Sequence, residues 1–169
     1  MAKGADFRLT RFDSAKLQKS GQYIGEHTYW KLYAIENIFR IVINSVLTPE
    51  IPVGWWDVAV SKPIKDKAEF FKKSYLKRAW HGNPGTHDIY YVDLTDLAEI
   101  LRVHSHLFKP VVPDIEKWMV GIEDLRLPRN VVAHMNFPSQ NDIQRIDVFH
   151  NDCVTLMAAV QSKIPILIP

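Results

Sequence analysis

The run from Ile24 to Leu47 constrains the fold more than any other part of the chain. Its apolar residues recur at helical steps, Tyr29, Trp30, Tyr33, Ile38, Phe39, Ile41, Val42 and Val46 among them. Thr48-Pro49-Glu50-Ile51-Pro52 ends the pattern. One core face does not account for every apolar position, because Leu32, Ile35 and Ile43 point elsewhere around the helix. Such a helix is either central in a bundle or buried a second time against another chain.

Further helices are expected around it. Residues 1 to about 20 have weak periodicity and suit an arm or a short helix. Trp55 and Trp56 open a short segment, and Pro63 starts a basic helix reaching about Trp80. His81-Gly82-Asn83-Pro84-Gly85-Thr86 is a turn-rich loop, and Tyr90-Tyr91-Val92 suits a short extended piece. Asp93 or Thr95 caps a helix through Phe108, and Pro113 suits the first turn of another reaching about Leu125. Pro128 is expected to break the chain there, with a further turn or two from Arg129 to Met135. Ser139-x-x-Asp142 resembles a capping box before a last long helix. In that helix Ile143, Ile146, Phe149, Cys153, Leu156, Met157 and Val160 form a core-facing stripe. The expectation is an all-α bundle of about five to six helices. Residues 1–22 form its arm, 23–163 the bundle and 164–169 an apolar tail. That tail either packs on the body or marks a domain of something longer.

A chain of 169 residues suggests one domain with a real core, and 47% apolar with 24% charged residues is an ordinary globular balance. The net charge of +2 is too small to advertise nucleic-acid binding by itself. Basic residues do cluster at Lys62, Lys65, Lys67, Lys72, Lys73, Lys77 and Arg78. They form either the solvated face of an amphipathic helix or a track for a phosphate backbone, with Lys72, Lys73, Lys77 and Arg78 as RNA-binding candidates. Cys153 is the only cysteine, so no intrachain disulfide or cysteine metal cluster can form, and its place on an apolar stripe implies an inert thiol. Met1 to Asp6 lack the apolar core of a secretory signal, and no apolar run is long enough to span a bilayer. A reducing, cytoplasmic setting away from membranes is expected.

One stretch carries chemistry: Leu125-Arg126-Leu127-Pro128-Arg129-Asn130-Val131-Val132-Ala133-His134-Met135-Asn136. An arginine holds phosphate through paired N–H donors, and a histidine moves protons near neutral pH. Eight arginines and seven histidines give roughly 0.3 chance matches to this spacing, so spacing alone decides nothing. Arg145-Ile146-Asp147-Val148-Phe149-His150 has it too. Context separates them. Arg145 lies in a long amphipathic pattern, whereas Arg129 is followed by Asn130 and preceded by Pro128. A helix starting at Pro128 would aim its N–H groups and positive dipole end at a bound phosphate.

Arg129-Asn130-Val131-Val132-Ala133-His134 resembles the hallmark of the HEPN superfamily, the higher eukaryotes and prokaryotes nucleotide-binding proteins. That hallmark is an arginine, a polar residue, then a histidine after several more. Tyr33-Ala34-Ile35-Glu36-Asn37-Ile38-Phe39-Arg40 and Gly54-Trp55-Trp56 are similar to features of some branches, so the resemblance covers roughly residues 23 to 160. It implies an antiparallel helical bundle that dimerises and joins motifs from two chains. It also implies metal-independent endoribonuclease activity without cofactors in the active branches, of toxin, defence or RNA-processing type, with an antitoxin or regulatory partner in some. Inactive members serve as dimerisation or RNA-binding modules, so both functions stay open.

The chemistry fits RNA, which carries its own nucleophile in the 2′-hydroxyl. His134 is the candidate general base or acid, Arg129 the stabiliser of the phosphorane-like charge, and Asn130 a donor to phosphate or an orienter of the imidazole. Five helical residues turn by about 500°, leaving Arg129 and His134 about 140° apart. A break at Pro128 or a two-chain site must therefore unite them. Otherwise Arg129 pairs with Glu123 or Asp124 and His134 is a hydrogen-bonded, partly buried residue. Glu36 and Arg40 are an i,i+4 pair that either supports the helix or reaches the motif across the bundle. His104 and His106 face different ways and make a poor metal site, and no histidine–carboxylate cluster has ligand spacing. His81 and His87 are expected at the surface. Trp55, Trp56, Trp80 and Trp118 either stack on bases or fill the core.

Overall fold

The computed structural model describes residues 5–78 and 80–169, and among them the regular structure is helical, with no strand. Asp13 caps α1 (Ser14–Ile24) by accepting from the Ala15 N–H. A π-helical turn, Gly25–Tyr29, carries α1 into α2 (Trp30–Glu50), and the junction residues Ile24 and Trp30 keep right-handed helical dihedrals. The expected arm thus includes a helix that runs into the long one without a break.

The second half of α2 is central. Ile35, Phe39, Val42, Ile43, Val46 and Leu47 are buried, and the helix packs against the later helices Gln140–Gln161 and Leu94–Val103. Its start and the π turn before it differ: Tyr29, Trp30 and Tyr33 are 61%, 49% and 66% exposed. The surplus of apolar positions in the sequence is therefore divided along the helix, core at one end and an aromatic surface at the other.

Gly54, at φ +81°, lets the chain reverse into α3 (Trp55–Ala59), since that left-handed backbone is costly for side chains with a Cβ. There follow α4 (Lys62–Leu76), a 3₁₀ turn (Asp88–Tyr91), α5 (Leu94–Val103), the short α6 (Ser105–Phe108), α7 (Ile115–Ala133) and α8 (Gln140–Gln161). Capping boxes start α5, from Asp93 and Asp96, and α8, from Ser139 and Asp142. The single helix expected through Phe108 is interrupted at His104, whose Nε2 lies 2.7 Å from the Ala59 carbonyl oxygen.

Two local expectations fail. Tyr90 and Tyr91 are not extended, because His87 accepts the Ile89 N–H through Nδ1 at 3.1 Å and so starts a 3₁₀ turn. Pro128 does not break α7, which runs through it. Ile115, Trp118, Ile122, Leu125, Pro128 and Val132 are all buried at three- and four-residue steps. Continuing this stripe adds burial of Val132, about 1.5–3 kcal/mol, against the roughly 3 kcal/mol cost of an interior proline. With the proline ring itself also buried, packing wins.

Past Ala133 the helix closes in a Schellman arrangement. His134 is its C-cap, Met135 adopts φ +58°, and the Asn136 and Met135 N–H groups donate to Val131 and Val132 carbonyls, both at 2.9 Å. The apolar tail does pack on the body. Ile164 and Ile166 rest on the core, and Leu167 is hydrogen-bonded to Asn44 and Ser45 of α2. No helix among the described residues is long and apolar enough to cross a membrane.

Candidate functional site

Four of the residues singled out in the sequence meet in the gap where side chains of α7 reach those of α2. Arg129 places Nη2 3.9 Å from Glu36 Oε2 and Nη1 3.4 Å from Asn130 Oδ1. Glu36 gives its other oxygen to Arg40, one turn along α2. Arg40 is buried and engaged at all three nitrogens: besides Glu36, Nε donates to the Ile89 carbonyl at 3.2 Å, Nη2 to that of Val92 at 3.0 Å, and Nη1 to Asn37 Oδ1 at 3.3 Å. Its guanidinium also lies over the Tyr90 ring, 5.8 Å from the centroid. Arg40 thus ties α2 to the 3₁₀ turn and orients Glu36. Arg129 is different. Its contacts are long, its side chain is 32% exposed, and most of its five donors are unengaged. It pairs with neither Glu123 nor Asp124, since Arg126 takes Glu123 at 2.8 Å.

Three clefts converge on Arg129. One of about 200 Å³ has Tyr29, Leu32, Tyr33, Glu36 and Val132 in its walls. A polar one of about 350 Å³ includes Lys67, Asp93, Asp96, Arg126 and Asn130. The third, about 290 Å³, runs between Phe71, Tyr75, Tyr90 and Val92. The lining aromatics were not singled out as site residues in the sequence; the excess of apolar positions in the first long helix was the available signal for Tyr29 and Tyr33. A cavity of about 450 Å³ between α7 and α8 contains Arg145 and lacks an imidazole.

His134 does not join this group. It is exposed at the end of α7, lines none of these clefts, and its imidazole has no hydrogen-bond partner among the described residues. Because α7 is continuous, Arg129 and His134 keep the divergence of a regular helix. The expected phosphate site at a helix N-terminus is also absent. Arg129 sits in the last turns of α7, where the carbonyl end of the dipole is negative, so the guanidinium must supply the positive charge. Asn130 is half-buried, lines the polar cleft and offers its oxygen to Arg129.

The basic helix is largely matched by carboxylates. Lys72 pairs with Asp88 at 2.6 Å, and that hydrogen bond holds its ammonium pKa above the usual lysine range. Lys73 pairs with Glu69 at 2.9 Å. Lys67 sits between Asp93 and Asp96 at 2.8 and 2.6 Å. Burial pulls the Lys67 pKa down, but the two carboxylates more than offset it. Of the four RNA-binding candidates, Lys77 and Arg78 are exposed and without an ion pair among the described residues.

Several aromatic and histidine expectations resolve. Trp55, Trp56 and Trp118 are buried in the core, whereas Trp80 is 81% exposed and stacks on His81. His87 is not a surface residue: it is half-buried, stacked on Trp55 at 5.1 Å and edge-on to Trp56 at 5.7 Å. Burial pushes its pKa below the ordinary histidine value, with Asp88 opposing that shift and Lys72 adding to it. His150 of the rival motif packs edge-on against Trp30 at 4.9 Å. Cys153 is buried, its thiol pushed up to about 12 mainly by desolvation. No group of three histidine, cysteine or acidic side chains among the described residues is placed to hold a metal ion. No family model, curated protein or solved structure matches the chain.

Proposed function

We propose that the chain is a HEPN-type, metal-independent endoribonuclease whose active site forms only when two copies pair. One observation carries this reading. Arg129, rich in free donors, stands at the meeting of three clefts, while the exposed imidazole of His134 points elsewhere on the same unbroken helix. In a two-fold dimer the aromatic surface of Tyr29, Trp30 and Tyr33 is the contact, and each site takes Arg129 from one chain and His134 from the other. A base removes the 2′-hydroxyl proton, the 2′-oxygen attacks phosphorus, and the P–O5′ bond breaks as the leaving oxygen gains a proton, His134 serving one of these transfers and water the other. The products are a 2′,3′-cyclic phosphate and a 5′-hydroxyl. Arg129 stabilises the charge gathering on the phosphoryl oxygens, and His134 transfers a proton.

The second reading is an RNA-binding module without turnover. It is favoured by the Glu36 carboxylate beside Arg129, which competes with phosphate for the guanidinium. Mixing two inactive variants separates the readings. Arg129→Ala and His134→Ala homodimers are each expected to lose about 10²–10⁴-fold in cleavage rate, with helical content intact. A heterodimer of the two holds one intact site and should recover up to half the wild-type rate, in EDTA as well as without it. Verified heterodimers that stay inactive would sink the shared site, and wild-type protein that binds RNA without cutting it would establish the module.

A further inference from the structure

Two polar side chains interrupt the apolar middle of α2. Asn44 and Ser45 are 6% and 1% exposed, and both engage Leu167 of the C-terminal segment. The Leu167 N–H donates to Ser45 Oγ, and its carbonyl accepts from Asn44 Nδ2, both at 2.9 Å. Asn44 Oδ1 meanwhile accepts from the buried indole of Trp55 at 3.0 Å. A buried polar pair of this kind costs stability unless each group is satisfied. The segment's backbone satisfies it, with Ile164 and Ile166 packed beside it.

Two residues further on, the Pro169 carbonyl accepts from the Tyr90 hydroxyl at 3.1 Å. Tyr90 is held on its other sides as well. A β-carbon at Gly85 would overlap its ring, so the loop backbone lies against it, and the Arg40 guanidinium lies over it. Tyr90 also walls the third cleft at Arg129, and Arg40 holds Glu36 beside Arg129. A line of contacts therefore joins the C-terminal segment to the cleft: Pro169, Tyr90, Arg40, Glu36, Arg129.

We infer that residues 164–169 act as a strap that positions this cleft through Tyr90. Anchored at Asn44 and Ser45, the strap fixes the Tyr90 ring, and the ring fixes the guanidinium that sets Glu36. Tyr90 and the strap are positioning elements, outside the chemistry. Their effect on RNA rests on the function proposed above, while their effect on the 3₁₀ turn does not.

The test uses three proteins: the full chain, a version ending at Lys163, and Tyr90→Phe in the full chain. Tyr90→Phe keeps the ring under Arg40 and removes only the bond to Pro169. Amide hydrogen exchange over residues 88–92 should quicken about 2- to 10-fold in both variants, the loss of roughly one hydrogen bond's worth of protection. Adding the peptide Ile-Pro-Ile-Leu-Ile-Pro should restore it in the shortened chain and leave Tyr90→Phe unchanged. Affinity for a short RNA oligomer should fall and recover in parallel. Exchange at 88–92 that matches the full chain in Tyr90→Phe overturns the strap, even if the shortened chain fails to fold. Altered exchange with unaltered RNA affinity overturns its coupling to the cleft. A full chain that binds no RNA defeats the proposed function alone, and exchange then decides the strap.

Discussion

At His87 a titrating ring is also the start of a backbone turn. Nδ1 accepts the Ile89 N–H, so the ring must be neutral there with its proton on Nε2, and the stack on Trp55 removes it from water. Its folded pKa is lowered by burial, so between that value and about 6.5 the unfolded chain binds a proton that the native ring refuses. The stabilising contribution is present above about 6.5 and is lost as pH falls through the folded value. Stability measured by urea denaturation should drop across that window, and His87→Asn, which keeps an acceptor but cannot titrate, should reduce the drop. An undiminished drop would assign it to other groups. This residue was illegible in the sequence, because its partners Trp55 and Trp56 lie more than thirty positions away and are brought together only by packing. Glu36 and Arg40 were legible, because a charged i,i+4 pair on an apolar helix needs a reason beyond helix support.

Among the elements, α7 carries the largest departure from expectation and the clearest reason for it. Proline's rule is local, whereas the stripe from Ile115 to Val132 is satisfied only across the bundle, and sequence pattern shows the first more readily than the second. The cap at Ser139 was legible because it and its partner sit three residues apart, whereas for α5 the sequence left Asp93 and Thr95 open and the structure selects Asp93. Near Met135, where a helical end was expected, the form of the cap was not legible, since Met135 occupies the left-handed position that glycine ordinarily fills. That backbone costs a non-glycine residue about 1–2 kcal/mol, of which glycine's greater unfolded freedom returns about half. Met135→Gly should therefore stabilise the protein by about 0.5–1 kcal/mol, read as a higher urea midpoint with an unchanged slope. A loss of stability would mean that the 84% exposed methionine makes a contact which the isolated chain does not show.

For the whole molecule, the proposed site predicts a dependence on concentration. If cleavage needs a dimer, the dimer concentration below its Kd varies as the square of total protein, so specific activity should fall in proportion to dilution. Tyr29→Asp, at a ring 61% exposed on the proposed contact, should weaken the dimer in sedimentation and shift the activity curve to higher concentration. Constant specific activity from a protein of monomer mass would remove the shared site. The all-helical class was readable from periodicity. The meeting of Arg129 with Glu36 was foreseen only as an open alternative, because whether side chains of two helices reach each other there depends on every other helix in the bundle.

The π-helical turn at Gly25–Tyr29 makes length act as angle. A π turn holds about one residue more than an α turn, and one residue corresponds to about 100° of rotation. The rod from Ser14 to Glu50 therefore has two phases, one for α1 and one for α2. Deleting a single residue between them would leave both helices chemically intact and swing one around the other by more than a quarter turn. Tyr23, which stacks on Phe137, would leave that partner while α2 stayed in the core. At Gly25, where an added β-carbon would meet open space, a change of side chain should be borne far better than a change of count.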